Sequence, residues 1–573
     1  MTDLLIPVPV DDPLELAWFE CNDFGNGRRL EAVAGGLLKW VDDEYWVAFD
    51  TRRWSEREGA FRARSLGHQV AQHINEEVAA LATLIGDPDR PEREALARRY
   101  GDWCTPERAV DRLEALRKWA IRSGNATQTD AMLKQAKDLP GMRAWSEDFD
   151  VDPLTYNVAN GTLRFRRGVP PKGAVLINGG SVSLAENGGG EACWHGLWRE
   201  GHDPADMLRQ IAEWAFDPAA RCPMWETRLE LVQPDPEVRG VFGRMYGQTL
   251  TGLTDCEEFY VHKGRGGDGK TKTHEILAHG HGDYYKHSAV STWLKAANQR
   301  SGAEHRRDLV ALAGDYRFIL CDEPGPRSMW DGELLKQWTG GGQITASDAG
   351  AKARDATVFK PRGKLFVEVN PTPQMPGDDK GFRRRFRLIQ WLVDLNLIPG
   401  GFESPAALRE RLWGESSGVL NWLIAGCLDW LGDRRVPVPE RETEALADFW
   451  STGNPLGEWF DEECDLTERD AETGSTVLWQ AFSAWMERNE LEEEARKKWN
   501  PTRFGRELGQ RQIVGKKDRR GNKVRRGIKL RGSGPLLGNQ GASQAGAVAG
   551  SAEPTRDNLG WPDDDDDVFG GRS

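Results

Sequence analysis

The sequence lacks any paired-cysteine motif: Cys21, Cys104, Cys193, Cys222, Cys256, Cys321, Cys427 and Cys464 are scattered, with no CxxC among them. Such spacing excludes a zinc ribbon or a disulfide scaffold and suits reduced thiols. No run of about 18 apolar residues occurs, so no membrane-spanning helix is expected. Met1 to Pro13 lack the basic start and apolar core of a secretory leader, and a cytoplasmic protein is expected. Overall positive charge is missing too: a net charge of −14 argues against indiscriminate coating of nucleic acid, so any such partner must meet a local basic surface. What is present is a globular composition, 39% hydrophobic over 573 residues, enough for about three or four domains. Its 24 tryptophans are read mainly as core and domain-packing residues.

One stretch carries recognisable chemistry. Gly264-Arg265-Gly266-Gly267-Asp268-Gly269-Lys270-Thr271 matches GxxxxGK[ST] in full. A chain wrapped around a polyphosphate must turn backbone N–H groups inward, which glycine permits at positive φ. In that reading Gly264, Gly266, Gly267 and Gly269 supply freedom, Lys270 reaches the β/γ-phosphates of ATP and Thr271 holds Mg²⁺. The apolar Glu258 to His262 precedes the loop and a helical stretch from Thr273 to His279 follows, the strand–loop–helix order such a loop needs.

About fifty residues on, Arg317-Phe318-Ile319-Leu320-Cys321 ends in Asp322-Glu323. A buried parallel strand delivers carboxylates to the sheet edge in this way, with Asp322 for the metal and Glu323 to polarise the attacking water. A third strand, Lys364 to Val369, ends at Asn370, an amide suited to orienting water or sensing the γ-phosphate. Arg384 and Arg385, in the run 382–387, are candidate arginine fingers acting on a neighbouring subunit. His274, His279 and His281 fit no standard zinc spacing, and a metal role for them is set aside.

The order Gly264 to Thr271, Asp322-Glu323, Leu334 to Gly341, Phe359-Lys360-Pro361, Asn370-Pro371 and Arg384-Arg385 resembles superfamily 3 helicases of the phage and plasmid primase-helicase type, related to the poxvirus enzyme. Asn22 to Asn26, Trp46, Trp54, Phe149-Asp150, Asn157, Asn160-Gly161 and Glu415 to Trp422 extend the likeness over roughly residues 18 to 530. The resemblance implies an α/β fold: an AAA+-like P-loop ATPase core with an N-terminal α+β domain and a C-terminal winged-helix-like domain. It further implies a homo-hexameric ring moving 3′ to 5′ on single-stranded or forked DNA in a bacterial host cell, working with a separate primase or single-strand-binding protein. No primase domain is expected before Trp18. Lys352 and Arg354 are the expected pore contacts with DNA phosphates. Three positions depart from the family pattern: Gly342, Ser347 and Asp268, the last adding a negative charge beside the phosphate with a side chain able to point outward.

The expected divisions are an N-terminal extension (1–17), a pre-helicase domain (18–235), the ATPase core (236–400), a helical closing segment (401–450), the winged-helix-like domain (455–531) and a disordered acidic tail (532–573). Between Arg511 and Arg531 stand ten basic residues and one acid, Asp518. A basic wing follows from this, with Lys516, Lys517, Arg519, Arg520, Lys523, Arg525 and Arg526 as DNA contacts. Two other readings remain open: an ATP-dependent origin-binding initiator without processive unwinding, and a nucleotide-sensing DNA-binding regulator. In the N-terminal part a hairpin is predicted over 37–49, a helix over 69–84, a loose loop over 179–190 and a helix over 206–216.

Overall fold

The computed structural model describes residues 13–87, 106–295, 306–324, 329–347, 356–370, 379–398, 404–453, 455–468, 470–489, 496, 499–510, 513–518 and 520–531. Leu38–Val41 pairs antiparallel with Tyr45–Phe49, as the alternating apolar residues and the acidic turn predict. Asp42 and Asp43 make that turn at positive φ, a conformation short polar side chains tolerate. The predicted helix begins earlier and runs over Glu56–Gly86, burying Ala63, Val70, Ile74, Leu81 and Leu84 along one stripe. It is tied to the helix Asp23–Ala34 by a buried ion pair, Arg29 Nε to Glu77 Oε1 at 2.8 Å.

A five-stranded antiparallel sheet follows over residues 155–200. The loose loop predicted at 179–190 is partly a hairpin instead: Val175–Asn178 pairs with Ser181–Leu184 around Gly179 and Gly180, both at positive φ. Two glycines between short strands are a favoured hairpin turn. The helix predicted over 206–216 is absent. Pro204–Asp206 forms one 3₁₀ turn, and the chain beyond it lies extended because other elements take its backbone groups: Ala212 N donates to Asn157 O (2.9 Å) and Glu213 N to Gly280 O (3.0 Å). Asp152, which has a turn role, accepts from Leu154 N and Thr155 Oγ1 and pairs with Arg166.

Five parallel strands form the central sheet: β1 (Phe259–Lys263), β2 (Tyr285–Ser288), β3 (Phe318–Cys321), β4 (Lys364–Val369) and β5 (Phe386–Gln390). Their order is β2-β3-β4-β1-β5. Successive side chains point to opposite faces, so the continuous apolar runs supply two cores at once. Tyr260, Phe318, Phe366 and Ile389 face one core; Val261, Ile319, Leu365, Val367 and Leu388 face the other. The first of these cores also contains Tyr156, Leu163 and Phe165 of the antiparallel sheet and Val241, Leu423 and Leu428 of two helices, Pro236–Gly247 and Ser416–Asp433. Those helices touch backbone to backbone: a Cβ on Gly426 would stand 1.9 Å from Gly243 O. Arg317, fully buried, donates to Leu250 O (2.7 Å) and Thr155 O (2.8 Å) while pairing with Asp315 (2.6 Å).

The C-terminal region has a core of its own, around Trp459, Phe482, Trp485, Phe504 and Ile528. Helices Ser475–Arg488 and Pro501–Gln510 pack with a small sheet in the order Glu472–Gly474, Lys523–Arg526, Gly515–Lys517. Among the described residues nine tryptophans, Trp214, Trp391 and Trp459 included, are fully buried, a packing role in each case. No helix among the described residues is long and apolar enough to cross a membrane.

Candidate nucleotide site

Chain reversal at the C-terminal end of β1 is what makes the site. The loop 264–269 leads into the helix α1 (Lys270–His281), with Gly266, Gly267 and Gly269 at φ of 89°, 68° and 88°. Gly264 is required for a different reason, since a Cβ there would stand 1.7 Å from Asp268 Oδ2. A cavity of about 600 Å³ opens in front of the loop. It is lined by Gly266 to Lys272, by Asp322 and Glu323 after β3, by Glu368 and Asn370 at the end of β4, and by Arg228 and Leu395. The sheet order explains this convergence: β3 and β1 both neighbour β4, so the C-terminal ends of three parallel strands meet at one edge.

Polar groups in the cavity are linked. Lys270 is 4% exposed, and its Nζ donates to Asn370 Oδ1 (2.9 Å) and Asp268 Oδ2 (3.0 Å). Asn370 in turn donates from its backbone N (3.0 Å) and Nδ2 (2.8 Å) to the two oxygens of Glu323. Asp322 is exposed and stands 3.0 Å from His287 Nε2. Thr271 Oγ1 donates to Glu368 Oε2, and His274 Nδ1 lies 2.7 Å from Glu368 Oε1. Burial alone would raise the Glu368 carboxyl, but hydrogen bonds from His274 and Thr271 and the Lys270 charge outweigh it and hold the group below its usual range. Thr271 and Asp322 present only oxygen donors, a set that fits a hard cation such as Mg²⁺.

Several expected residues stand elsewhere or differently. Asp268 points inward, not outward. It is 3% exposed and accepts from Lys270 N (3.1 Å) and Gly266 N (3.3 Å), because the inward N–H groups of the loop and the buried ammonium draw the carboxylate in. Arg265 is exposed and does not line the cavity. Arg384 and Arg385 precede β5, at the end of the sheet away from the loop, where both pair with Glu257 (2.7 and 2.9 Å). Within this chain they do not reach the cavity. His274, His279 and His281 turn to separate partners: Glu368, the Trp413 ring, and Tyr156 with Thr249. Lys352 and Arg354 lie outside the described residues, between the paired strands Ile344–Ala346 and Thr357–Phe359.

The basic wing forms as a hairpin, Gly515–Lys517 against Lys523–Arg526, with Asp518 bonded across its turn to Asn522. Its charge is more neutralised than the sequence suggests. Lys516 pairs with Glu472 and Arg526 with Asp470, and Arg525 is buried, donating to Ile513 O (3.4 Å). Arg525 is therefore withdrawn as a surface contact: its guanidinium serves the fold. Lys517 and Arg520 remain exposed on the wing, and Arg519 lies outside the described residues.

Glu368, Arg228 and His287 were not singled out from the sequence, and His274 was weighed only as a metal ligand. Glu368 left a signal, an acid inside the apolar run 364–369 two positions before Asn370 and on the same strand face as Phe366.

Residues 39–234 match the D5 N terminal like family. The matched segment is D5-like. The chain is 24% identical over 352 residues to a helicase-named protein, L207/L206, of Acanthamoeba polyphaga mimivirus, covering 61% of this chain and 32% of that protein. It is 22% identical over 520 residues to a helicase-named protein, 022R, of Frog virus 3 (isolate Goorha), covering 83% of this chain and 51% of that one. The chain thus spans about a third and about half the length of these relatives. Among solved structures it is similar to the apo NrS-1 C terminal region, at 12% identity and a TM-score of 0.33, covering 55% of this chain and 77% of that one.

Proposed function

We propose that this chain is a D5-like, ATP-dependent DNA helicase of a virus, phage or plasmid, acting in replication. The observation that carries the reading is the single cavity lined by Lys270, Thr271, Asp322, Glu323 and Asn370, residues drawn from three separate strand ends. In this reading the loop amides of 266–269 and Lys270 bind the phosphates of ATP. Thr271 and Asp322 would hold Mg²⁺, which would supply positive charge to the transferring phosphoryl group. Glu323, oriented by both nitrogens of Asn370, accepts a proton from the attacking water. Asn370 bridges Lys270 and Glu323, so a change at the phosphate end of the cavity reaches the carboxylate through one amide.

A ring of subunits completes the reading. Arg384 lies far from its own cavity and is exposed, which suits a charge offered to the next subunit's ATP. The C-terminal helices and wing would meet DNA as a winged-helix domain, through Lys517 and Arg520 foremost.

The test is ATP turnover by the purified chain with and without single-stranded DNA, strand displacement on a forked duplex, and a mass measurement in ATP. DNA-stimulated turnover with unwinding by an oligomer is expected. Turnover without strand displacement would favour an origin-remodelling initiator, and nucleotide binding without turnover a sensing regulator.

A further inference from the structure

Glu368 is an acid near the C-terminal end of the central strand β4, on the same face as Phe366. Its two oxygens are both engaged, Oε2 by the Thr271 hydroxyl and Oε1 by His274 Nδ1. His274, fully buried, lies with Nε2 2.9 Å from the hydroxyl of Tyr246, itself stacked on Phe366. The proton positions follow from what each group can do. An ionised carboxylate only accepts, so His274 donates from Nδ1 to Glu368, and its Nε2 is hydrogen-bonded to the Tyr246 hydroxyl. The neighbouring His262, 4.6 Å away ring to ring, is pushed well below its usual range by burial first and by His274 and Lys270 next, so it adds no competing cation.

The end of this relay is the Thr271 hydroxyl. A hydroxyl has one proton and two lone pairs, and at Thr271 the proton is committed to Glu368. Both lone pairs are then left for an electrophile in the cavity. Resting on the nucleotide-binding reading above, we propose that Glu368 is the positioning residue that orients the Thr271 oxygen toward a divalent cation, and that His274 and Tyr246 hold Glu368 in place. It acts from behind the cation ligand, as outer hydrogen-bond partners do at metal sites generally.

The experiment uses the full chain, native and as Glu368→Ala, Glu368→Gln and Tyr246→Phe, with a fluorescent ADP analogue titrated in EDTA and across Mg²⁺ concentrations. In Glu368→Ala the Mg²⁺ concentration needed for half-maximal effect on nucleotide binding is expected to rise about 10- to 100-fold, the usual consequence of losing an outer-shell partner. Tyr246→Phe should move it less, in the same direction, and affinity in EDTA should be unchanged in both. If Glu368→Ala does not fold, Glu368→Gln decides, because the amide keeps the shape and loses the charge. An unchanged Mg²⁺ dependence overturns the proposal, as does an equal loss of nucleotide affinity in EDTA, which would make Glu368 part of the loop's architecture. Failure of the native chain to bind nucleotide under any condition would instead remove the nucleotide-site reading, and this inference with it.

Discussion

Lys270 Nζ stands 3.0 Å from Asp268 Oδ2, and both side chains are almost wholly buried in the glycine-rich loop. The same carboxylate accepts from the amides of Gly266 and Lys270, so an acid of the loop occupies donors that a phosphate would use. Nucleotide binding at this loop would have to compete with that contact. Asp268→Asn removes the charge and keeps the size, and it is expected to tighten ATP binding about tenfold, ~1.4 kcal/mol. A calorimetric titration showing weaker binding would mean that Asp268 supports the cradle and does not compete with it.

Lys270→Ala should abolish ATP turnover while leaving DNA binding intact, because the ammonium lies in the cavity and the wing lies in a separate core. Turnover and DNA affinity measured on one preparation check this, and full turnover in the variant would defeat the loop assignment.

Arg384 and Arg385 share Glu257 but differ in burial, with side chains 64% and 10% exposed. Arg385 also donates to Gly381 O (3.0 Å) and serves the fold. Arg385→Ala is expected to lower stability by about 1–3 kcal/mol, the usual effect of breaking partly buried charge-assisted bonds. Arg384→Ala should leave the melting temperature unchanged and depress turnover. Mixing Arg384→Ala with Lys270→Ala subunits should restore some turnover if the arginine acts across a subunit boundary.

On the wing, Lys517→Ala and Arg520→Ala are expected each to weaken DNA binding and to reduce the slope of log affinity against log salt by about 0.7–0.9. Lys516→Ala should change it less, since Glu472 already neutralises that charge. Equal slopes for the three variants would assign DNA to another surface.

Burial lowers Lys364 to about 7, and its Nζ donates to Thr251 O. In the unfolded chain the group titrates at its usual value of 10.5. Between about pH 7 and 10.5 the unfolded state therefore binds more protons, so this lysine makes stability rise with pH across that window, by at most about 1.4 kcal/mol per unit. Below about pH 7 its penalty is fully present. Melting temperatures across this range should climb more steeply in the native chain than in Lys364→Met, and parallel curves would show that Lys364 is neutral throughout.

Elements whose signal was local were legible from the sequence. The hairpin 37–49 carried alternation and an acidic turn, and β1, β3 and β4 carried apolar runs long enough for a sheet buried on both faces. Non-local partners hid the rest. The extended run after Asp206 has helix-compatible residues, yet Asn157 and Gly280, distant in the chain, take its backbone bonds. Asp268 was misread for a similar reason, since the ammonium that draws it inward belongs to a lysine whose own burial depends on the fold. Glu368 was visible as an acid among apolar neighbours, but nothing in one sequence says that His274, a turn along α1, completes it. Arg525 and Lys516 look like any other residues of a basic run until the acids of 468–472 and the C-terminal core are brought against them.

Arg317 bears on how far this protein can be divided. Its guanidinium draws together a carbonyl from the antiparallel sheet, one from the segment before β1 and an aspartate before β3, all without solvent. A fragment beginning near residue 236 would lose Thr155 and the aromatic wall around Tyr156, leaving a buried cation short of an acceptor and one face of the central sheet bare. The D5-like segment is consequently one wall of the core beneath the central sheet, and a cut between the two would expose both.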